Sequence, residues 1–196
     1  MMREIVFATH NEHKAREVRE ILGESWKVLT LSDIGCHDDI PETADTLEGN
    51  ALIKARWVRD RYGKDCFADD TGLMVDALRG APGVMSARYA GEACDSEANI
   101  ARLLRELAGS DSRAAHFSTV VALCLDGEEY LFEGRVDGEI SPERHGHGGF
   151  GYDPVFVPLE SGVSFAEMSA GDKNAISHRG RAIRKLAQFL DNPKLN

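Results

Sequence analysis

Two consecutive aspartates, Asp69 and Asp70, follow the apolar run Cys66-Phe67-Ala68 and precede Thr71-Gly72. An apolar approach of this kind suits the end of a buried strand. Neighbouring strand residues point to opposite faces, so at most one of the two carboxylates looks into a given cleft. Charge placed there is costly to a core and useful to a site; an acidic turn between strands is the competing reading. Two lysines stand where an ammonium needs an anion. Lys14 falls in the first turn of a helix capped by Asn11, where it opposes the helix dipole. Lys54 lies on or beside the apolar stripe of a second helix, next to Asn50. A capped helix in the first case and a snorkelling side chain in the second are the plain alternatives. The turn Thr9-His10-Asn11-Glu12-His13-Lys14, between a strand and a helix N-terminus, offers free N–H groups to an anion. Later, Gly148-Gly149-Phe150-Gly151-Tyr152-Asp153-Pro154 sets a ring among glycines, exposed or held against something flat such as a nucleobase; base stacking on such a ring is worth about 1–3 kcal/mol. Finally, Lys173, His178, Arg179, Arg181, Arg184 and Lys185 form a positive cluster that could touch RNA or read a ligand's carbonyl and phosphate oxygens.

The elements that must position these residues follow from periodicity and punctuation. Glu4–Thr9 reads as a buried strand, followed by a helix over 13–22 stopped by Gly23. Lys27–Leu31 reads as a second strand, and Ser32–Asp45 as a polar, acidic connection containing Glu42. Thr46 caps a helix running to Tyr62, with Leu47, Ala51, Val58 and Tyr62 as its stripe. Gly72, Gly80, Pro82 and Gly83 impose turns after the aspartates. Asp95–Leu107 is an amphipathic helix burying Ile100, Leu103, Leu104 and Leu107. Asp126-Gly127 joins a strand over 114–125 to a return strand over about 129–136. Ser141–Gly151 is a glycine-rich loop whose His145 and His147 read as polar loop residues. Pro154–Val157 is a short strand. A last helix buries Ile183, Leu186, Ala187 and Leu190. Strand–helix units in the first half and an antiparallel pair in the second predict a mixed sheet in one two-lobed domain over 1–196.

The bulk numbers bound the function. At 42% hydrophobic and 29% charged, the 196 residues can build a packed core. The 33 acidic against 23 basic residues, a net charge of -10, argue against a nucleic-acid backbone as the main partner. A small anionic ligand stays open, because a divalent cation inverts the local charge. Cys36, Cys66, Cys94 and Cys124 include no C-x-x-C pair and read as reduced thiols. The first residues lack the apolar run of a signal peptide, and no stretch reaches membrane-spanning length, which predicts a cytoplasmic protein without a membrane partner.

Taken together, the blocks resemble one family. They are Thr9-x-Asn11-x-x-Lys14; Ala68-Asp69-Asp70-Thr71-Gly72-Leu73 with Gly80-Ala81-Pro82-Gly83-x-x-Ser86-Ala87-Arg88-Tyr89; Gly149-Phe150-Gly151-Tyr152-Asp153-Pro154; and Lys173-x-x-x-Ser177-His178-Arg179. In this order, across nearly the whole chain, they resemble the inosine triphosphatase or Ham1-like family, the XTP/dITP diphosphatases. The family's first block often reads T-G-N-x-G-K; here both glycines are histidines, His10 and His13. Thr71 stands where serine is common and keeps the hydroxyl.

The resemblance implies an elongated α/β fold with two lobes, a long mixed sheet, flanking helices and a central cleft, usually in a homodimer. It implies hydrolysis of inosine, deoxyinosine and xanthosine triphosphates to the monophosphate and pyrophosphate, which removes deaminated purines from the nucleotide pool. Mg²⁺ would be the cofactor, a hard cation suited to carboxylates and phosphates. By the same resemblance Asp70 is metal ligand and general base, Glu42 the second ligand and Asp69 a supporting one. Lys14 and Lys54 neutralise phosphate charge. The turn Thr9, His10, Asn11, Glu12, His13, together with Asn50 and Thr71, lines the phosphate end. Phe150 stacks on the purine, Asp153, Lys173, His178 and Arg179 line the base and sugar end, and Gly151 and Tyr152 are further substrate-binding residues. A Maf-like pyrophosphatase acting on modified pyrimidines is the nearest rival, and an RNA-binding module is a third reading.

Overall fold

A computed structural model describes residues 3–191. Among them run β1 (Arg3–Phe7), α1 (Glu12–Leu22), β2 (Trp26–Leu29), α2 (Leu47–Tyr62), β3 (Cys66–Val75), β4 (Pro82–Gly83), α3 (Ser96–Glu106), β5 (Ala114–Leu125), β6 (Glu128–Ile140), β7 (Phe156–Pro158), α4 (Ala170–Ile176) and α5 (His178–Asp191). The described strands form one sheet in the order β2-β1-β3-β5-β6-β7, with β4 paired to β3. β1 runs parallel to β2 and β3, whereas β3–β4 and β6–β7 are antiparallel. The sheet is therefore mixed, as expected, with helices flanking it.

The chain divides into two compact units. One comprises the residues up to Asp70, Thr119–Gly134 and the chain from Arg179 onward. Here α1 buries Ala15, Val18 and Leu22, and α5 buries Ile183, Leu186 and Leu190, in a core with Phe7 and Phe67. The two phenyl rings stack at 4.7 Å. A second cluster of this unit joins Ala51, Ala55 and Val58 of α2 to Val6 and Ala68. The other unit comprises Thr71–Ser118 and Arg135–His178. Its core joins Ile100, Leu103 and Leu107 to Leu73, Phe117, Phe156 and Phe165. The four divisions fall between consecutive residues: Asp70 and Thr71 within β3, Ser118 and Thr119 within β5, Gly134 and Arg135 within β6, and His178 and Arg179 at the start of α5.

Two strands run further than their punctuation suggests, for the same reason. β3 does not end at the aspartates but continues through Gly72 to Val75. A Cβ on Gly72 would lie 2.8 Å from the Gly83 carbonyl oxygen, so glycine here admits the β4 backbone instead of breaking the strand. β6 continues past Val136 to Ile140 with unbroken alternation of burial. A Cβ on Gly138 would meet the Phe156 ring at 2.6 Å, so that glycine makes room for β7. The tail pattern indicates one helix; the structure has a further short one, α4, capped by Ser169, and α5 begins at His178, so His178 and Arg179 are helical.

Gly72→Ala is expected to cost about 1–3 kcal/mol, the range for overpacking against a neighbour that cannot rotate away. Urea unfolding would read the loss; unchanged stability would mean that β4 does not close on β3 as described.

Candidate active site

The turn before α1 is built by its own side chains. Asn11 Oδ1 accepts from the backbone N–H groups of His13 at 3.0 Å and Lys14 at 3.2 Å, capping the helix. The buried Thr9 hydroxyl accepts from the Asn11 N–H at 3.0 Å. His10, Glu12 and His13 are exposed. His10 takes the place of a small residue without crowding the turn, because its ring turns to the Asp38 carbonyl at 3.1 Å.

The pleat separates the two aspartates. Asp69 Oδ1 accepts from Lys14 Nζ at 2.9 Å, and its Oδ2 from Arg179 Nε at 2.9 Å. Arg179 also donates to Glu17 Oε2 at 2.6 Å. Burial would raise the Asp69 carboxyl, but Lys14, Arg179 and Lys54 outweigh it and hold it well below the ordinary carboxylate range. Burial pushes the Lys14 ammonium down, with Asp69 opposing. Asp70 has different partners: Asn50 Nδ2 donates to it at 3.1 Å, and Lys54 Nζ lies 3.8 Å away. Lys54 also donates to Glu42. Burial raises the Asp70 carboxyl against the pull of Lys54, while on Lys54 burial is outweighed by Asp70 and Glu42, which raise it. The Asn50 carbonyl oxygen accepts from the Ala44 N–H at 2.9 Å, so one amide fixes both Asp70 and the connection that carries Glu42.

Glu42 and Asp70 thus share the Lys54 ammonium as counter-cation. Two carboxylates fit a hard divalent ion that completes its shell with substrate oxygens and water. Among the described residues no group of three or more His, Cys, Asp or Glu side chains is gathered for a metal ion. Asp69 does not fit the supporting metal role assigned from sequence. Both of its oxygens already face cations, because the strand pleat turns it away from Asp70's side.

In the other unit, Phe150 is held by Asp153 and Lys173. Asp153 Oδ2 accepts from the Phe150 N–H at 2.8 Å and from Lys173 Nζ at 2.7 Å. That ammonium lies 4.7 Å from the Phe150 ring centroid, within cation–π range. A Cβ on Gly149 would sit 2.1 Å from the same Asp153 oxygen, which with its φ of 70° explains the glycine. A cavity of about 700 Å³ opens beside Phe150, lined also by Gly149, Gly151, His145, His147 and Arg144. His178 stacks on Phe117 at 4.4 Å, with the rings 15° apart. The Tyr152 hydroxyl donates to the Ser86 carbonyl at 2.7 Å in the interior. Tyr152 therefore braces the loop from the interior.

The Ham1 family profile matches residues 5–189. The chain belongs to the Ham1 family. It is 54% identical over 186 residues to the dITP/XTP pyrophosphatase of Christiangramia forsetii, covering 95% of this chain and 98% of that protein. It is 53% identical over 190 residues to the dITP/XTP pyrophosphatase of Porphyromonas gingivalis, covering 96% and 98%. The solved structure of the Staphylococcus aureus Ham1 protein superposes with a TM-score of 0.88 at 39% identity, covering 98% of this chain and all 100% of that one.

Within this Ham1 chain the site residues read from sequence fall into two groups. Thr9, Asn11, Lys14, Glu42, Asn50, Lys54, Asp69 and Asp70 lie in the first unit, and Thr71, Phe150, Gly151, Asp153, Lys173 and His178 in the second. Arg179 departs from expectation. It was read as lining the base end, yet it is buried in the first unit against Asp69 and Glu17. Of the tail's positive cluster, Lys173, His178 and Arg179 are buried, the first and last in ion pairs, whereas Arg181 and Arg184 are half-buried and Lys185 is exposed, so half of the cluster is withdrawn from any RNA-binding face. Glu17 was missed. Its signal was its position three residues after Lys14 on one helix, where side chains are neighbours.

Asp69→Asn is expected to destabilise the protein by about 3–5 kcal/mol, because it leaves Lys14 and Arg179 without their shared anion. Asp137→Asn, which breaks an exposed pair with Arg135, is expected to cost at most about 1 kcal/mol. Equal losses in urea unfolding would contradict this account.

Proposed function

We infer that this chain is a dITP/XTP pyrophosphatase. It hydrolyses inosine, deoxyinosine and xanthosine triphosphates to the nucleoside monophosphate and pyrophosphate, clearing deaminated purines from the nucleotide pool. The observation that carries this is a near full-length match to relatives of that activity in a chain whose Asp70, Lys54 and Glu42 converge.

In the proposed mechanism Lys14, Lys54 and the capped turn at Thr9 and Asn11 bind the triphosphate. Water adds across the α–β phosphoanhydride: a new P–O bond forms, the bridging P–O bond breaks, pyrophosphate leaves, and Asp70 takes the proton. Burial raises the Asp70 carboxyl, which makes it a stronger base than an exposed aspartate. Glu42 and Asp70 would hold Mg²⁺, which when bound neutralises phosphate charge. Lys14 and Lys54 supply the rest of that neutralisation as negative charge moves to the leaving group. In the other unit Phe150 stacks on the purine. Lys173 and the His178 region supply donors for the oxygen at purine position 6, where adenine would present another donor. The four free thiols support a reducing, cytoplasmic setting. Among the described residues no helix is long and apolar enough to cross a membrane. The net charge of -10 supports a small-molecule partner over nucleic acid. A homodimer is expected from the family resemblance and would show in sedimentation.

With deoxyinosine triphosphate and Mg²⁺, equimolar monophosphate and pyrophosphate are expected; orthophosphate alone would sink the reading, and preference for modified pyrimidine triphosphates would favour the Maf-like rival. Asp70→Asn is expected to lower kcat about 10²–10⁴-fold with the fold intact. Lys14→Ala is expected to raise KM for the triphosphate about 10–100-fold, the loss of one charge-assisted contact.

A further inference from the structure

Four charges of alternating sign run through the first unit. Glu17 Oε2 accepts from Arg179 Nη1 at 2.6 Å, Arg179 Nε donates to Asp69 Oδ2 at 2.9 Å, and Lys14 Nζ donates to Asp69 Oδ1 at 2.9 Å. The two inner members are sealed, at 2% side-chain exposure each; Glu17 is 13% and Lys14 18% exposed. The chain starts and ends on α1, since Glu17 and Lys14 lie three residues apart, and passes through α5 and β3 on the way. It is a closed brace around the one lysine that sits in the anion-binding turn.

We propose that Glu17 is a positioning residue for triphosphate binding, acting through Arg179 and Asp69 on the Lys14 ammonium. Asp69 is a single carboxylate between two cations. Arg179 is a guanidinium with a rigid fork and can hold two anions at once. With Glu17 on one edge, Arg179 takes a single Asp69 oxygen, and the other oxygen faces Lys14. Without that second anion, Arg179 is drawn onto both Asp69 oxygens as a bidentate pair. Lys14 then shares its Asp69 oxygen with the guanidinium, so its ammonium is held less firmly and must be reoriented when phosphate arrives. Glu17 touches no substrate in this scheme, so its effect falls on binding and leaves the chemical step alone. The inference rests on the reading of Lys14 as a phosphate ligand.

The test is a double-mutant cycle in steady-state kinetics with deoxyinosine triphosphate and Mg²⁺. Glu17→Gln is expected to raise KM about tenfold while kcat stays within about twofold, and Glu17→Asp to restore most of the loss. In a Lys14→Ala background, Glu17→Gln is expected to change KM by less than about twofold, because its route to substrate has gone. An equal KM effect in both backgrounds, a fall in kcat alone, or unchanged KM in the first background would overturn the proposal. If Glu17→Gln does not fold, Glu17→Ala, which also removes the anion, carries the same cycle and the same criteria. A Lys14→Ala protein with unaltered KM would remove the underlying reading and this inference with it. A raised KM in Lys14→Ala with no effect of Glu17 removes only the inference.

Discussion

A carboxylate sealed in the protein interior between a lysine and an arginine governs the arrangement of the first unit. Removed from water, Asp69 would be prohibitive without Lys14 and Arg179, and Arg179 in turn needs Glu17. These requirements tie α1, β3 and α5 together at the point where the phosphate-binding turn begins. The next residue along β3 is released from that duty. The pleat turns Asp70 to Asn50, Lys54 and Glu42, where its carboxyl keeps a raised proton affinity and can act on substrate. One strand thereby gives its two neighbouring acids separate partners by the two-residue period of its side chains.

The second unit solves a related problem with a different currency of contacts. A ring on a glycine-rich loop has no backbone stiffness of its own. Asp153 supplies it by accepting from the Phe150 N–H and from Lys173, whose ammonium lies over the ring. Gly149 is the complement of that arrangement, because any side chain there would displace the Asp153 carboxylate. Tyr152 completes the brace through Ser86, which also receives the Leu73 N–H and donates to the Gly83 carbonyl. The base-side loop is thus anchored to the β3–β4 pair through one buried serine.

The conflict between an acidic protein and a polyanionic substrate is resolved locally. Lys14 is half-buried beside Asp69, and Lys54 is buried beside Glu42 and Asp70. Asn50 has a central part in this, since one amide bonds Asp70 through its NH₂ and the Glu42-bearing connection through its oxygen. An aspartate in its place would put a second negative charge against Asp70 and lose the donor.

Much of the element pattern was legible in the chain. The caps at Asn11, Thr46 and Asp95, the Asp126-Gly127 hairpin and the apolar stripes of α2, α3 and α5 are local signals. They need only neighbouring residues to be read. The opposite facing of Asp69 and Asp70 was legible too, because it is a property of any strand. The chain alone left open why Gly72 and Gly138 continue their strands, since the reason is another backbone or ring arriving from far along the sequence. It also left open which partner each charge takes. Arg179 reads as a base-side residue by its neighbours in sequence, yet folding carries it to Asp69, 110 residues away, and to Glu17, 162 residues away. Residue types and short spacings determine which chemistry is available; burial and long-range pairing, which no local pattern encodes, decide which acid holds the structure and which is left for the reaction.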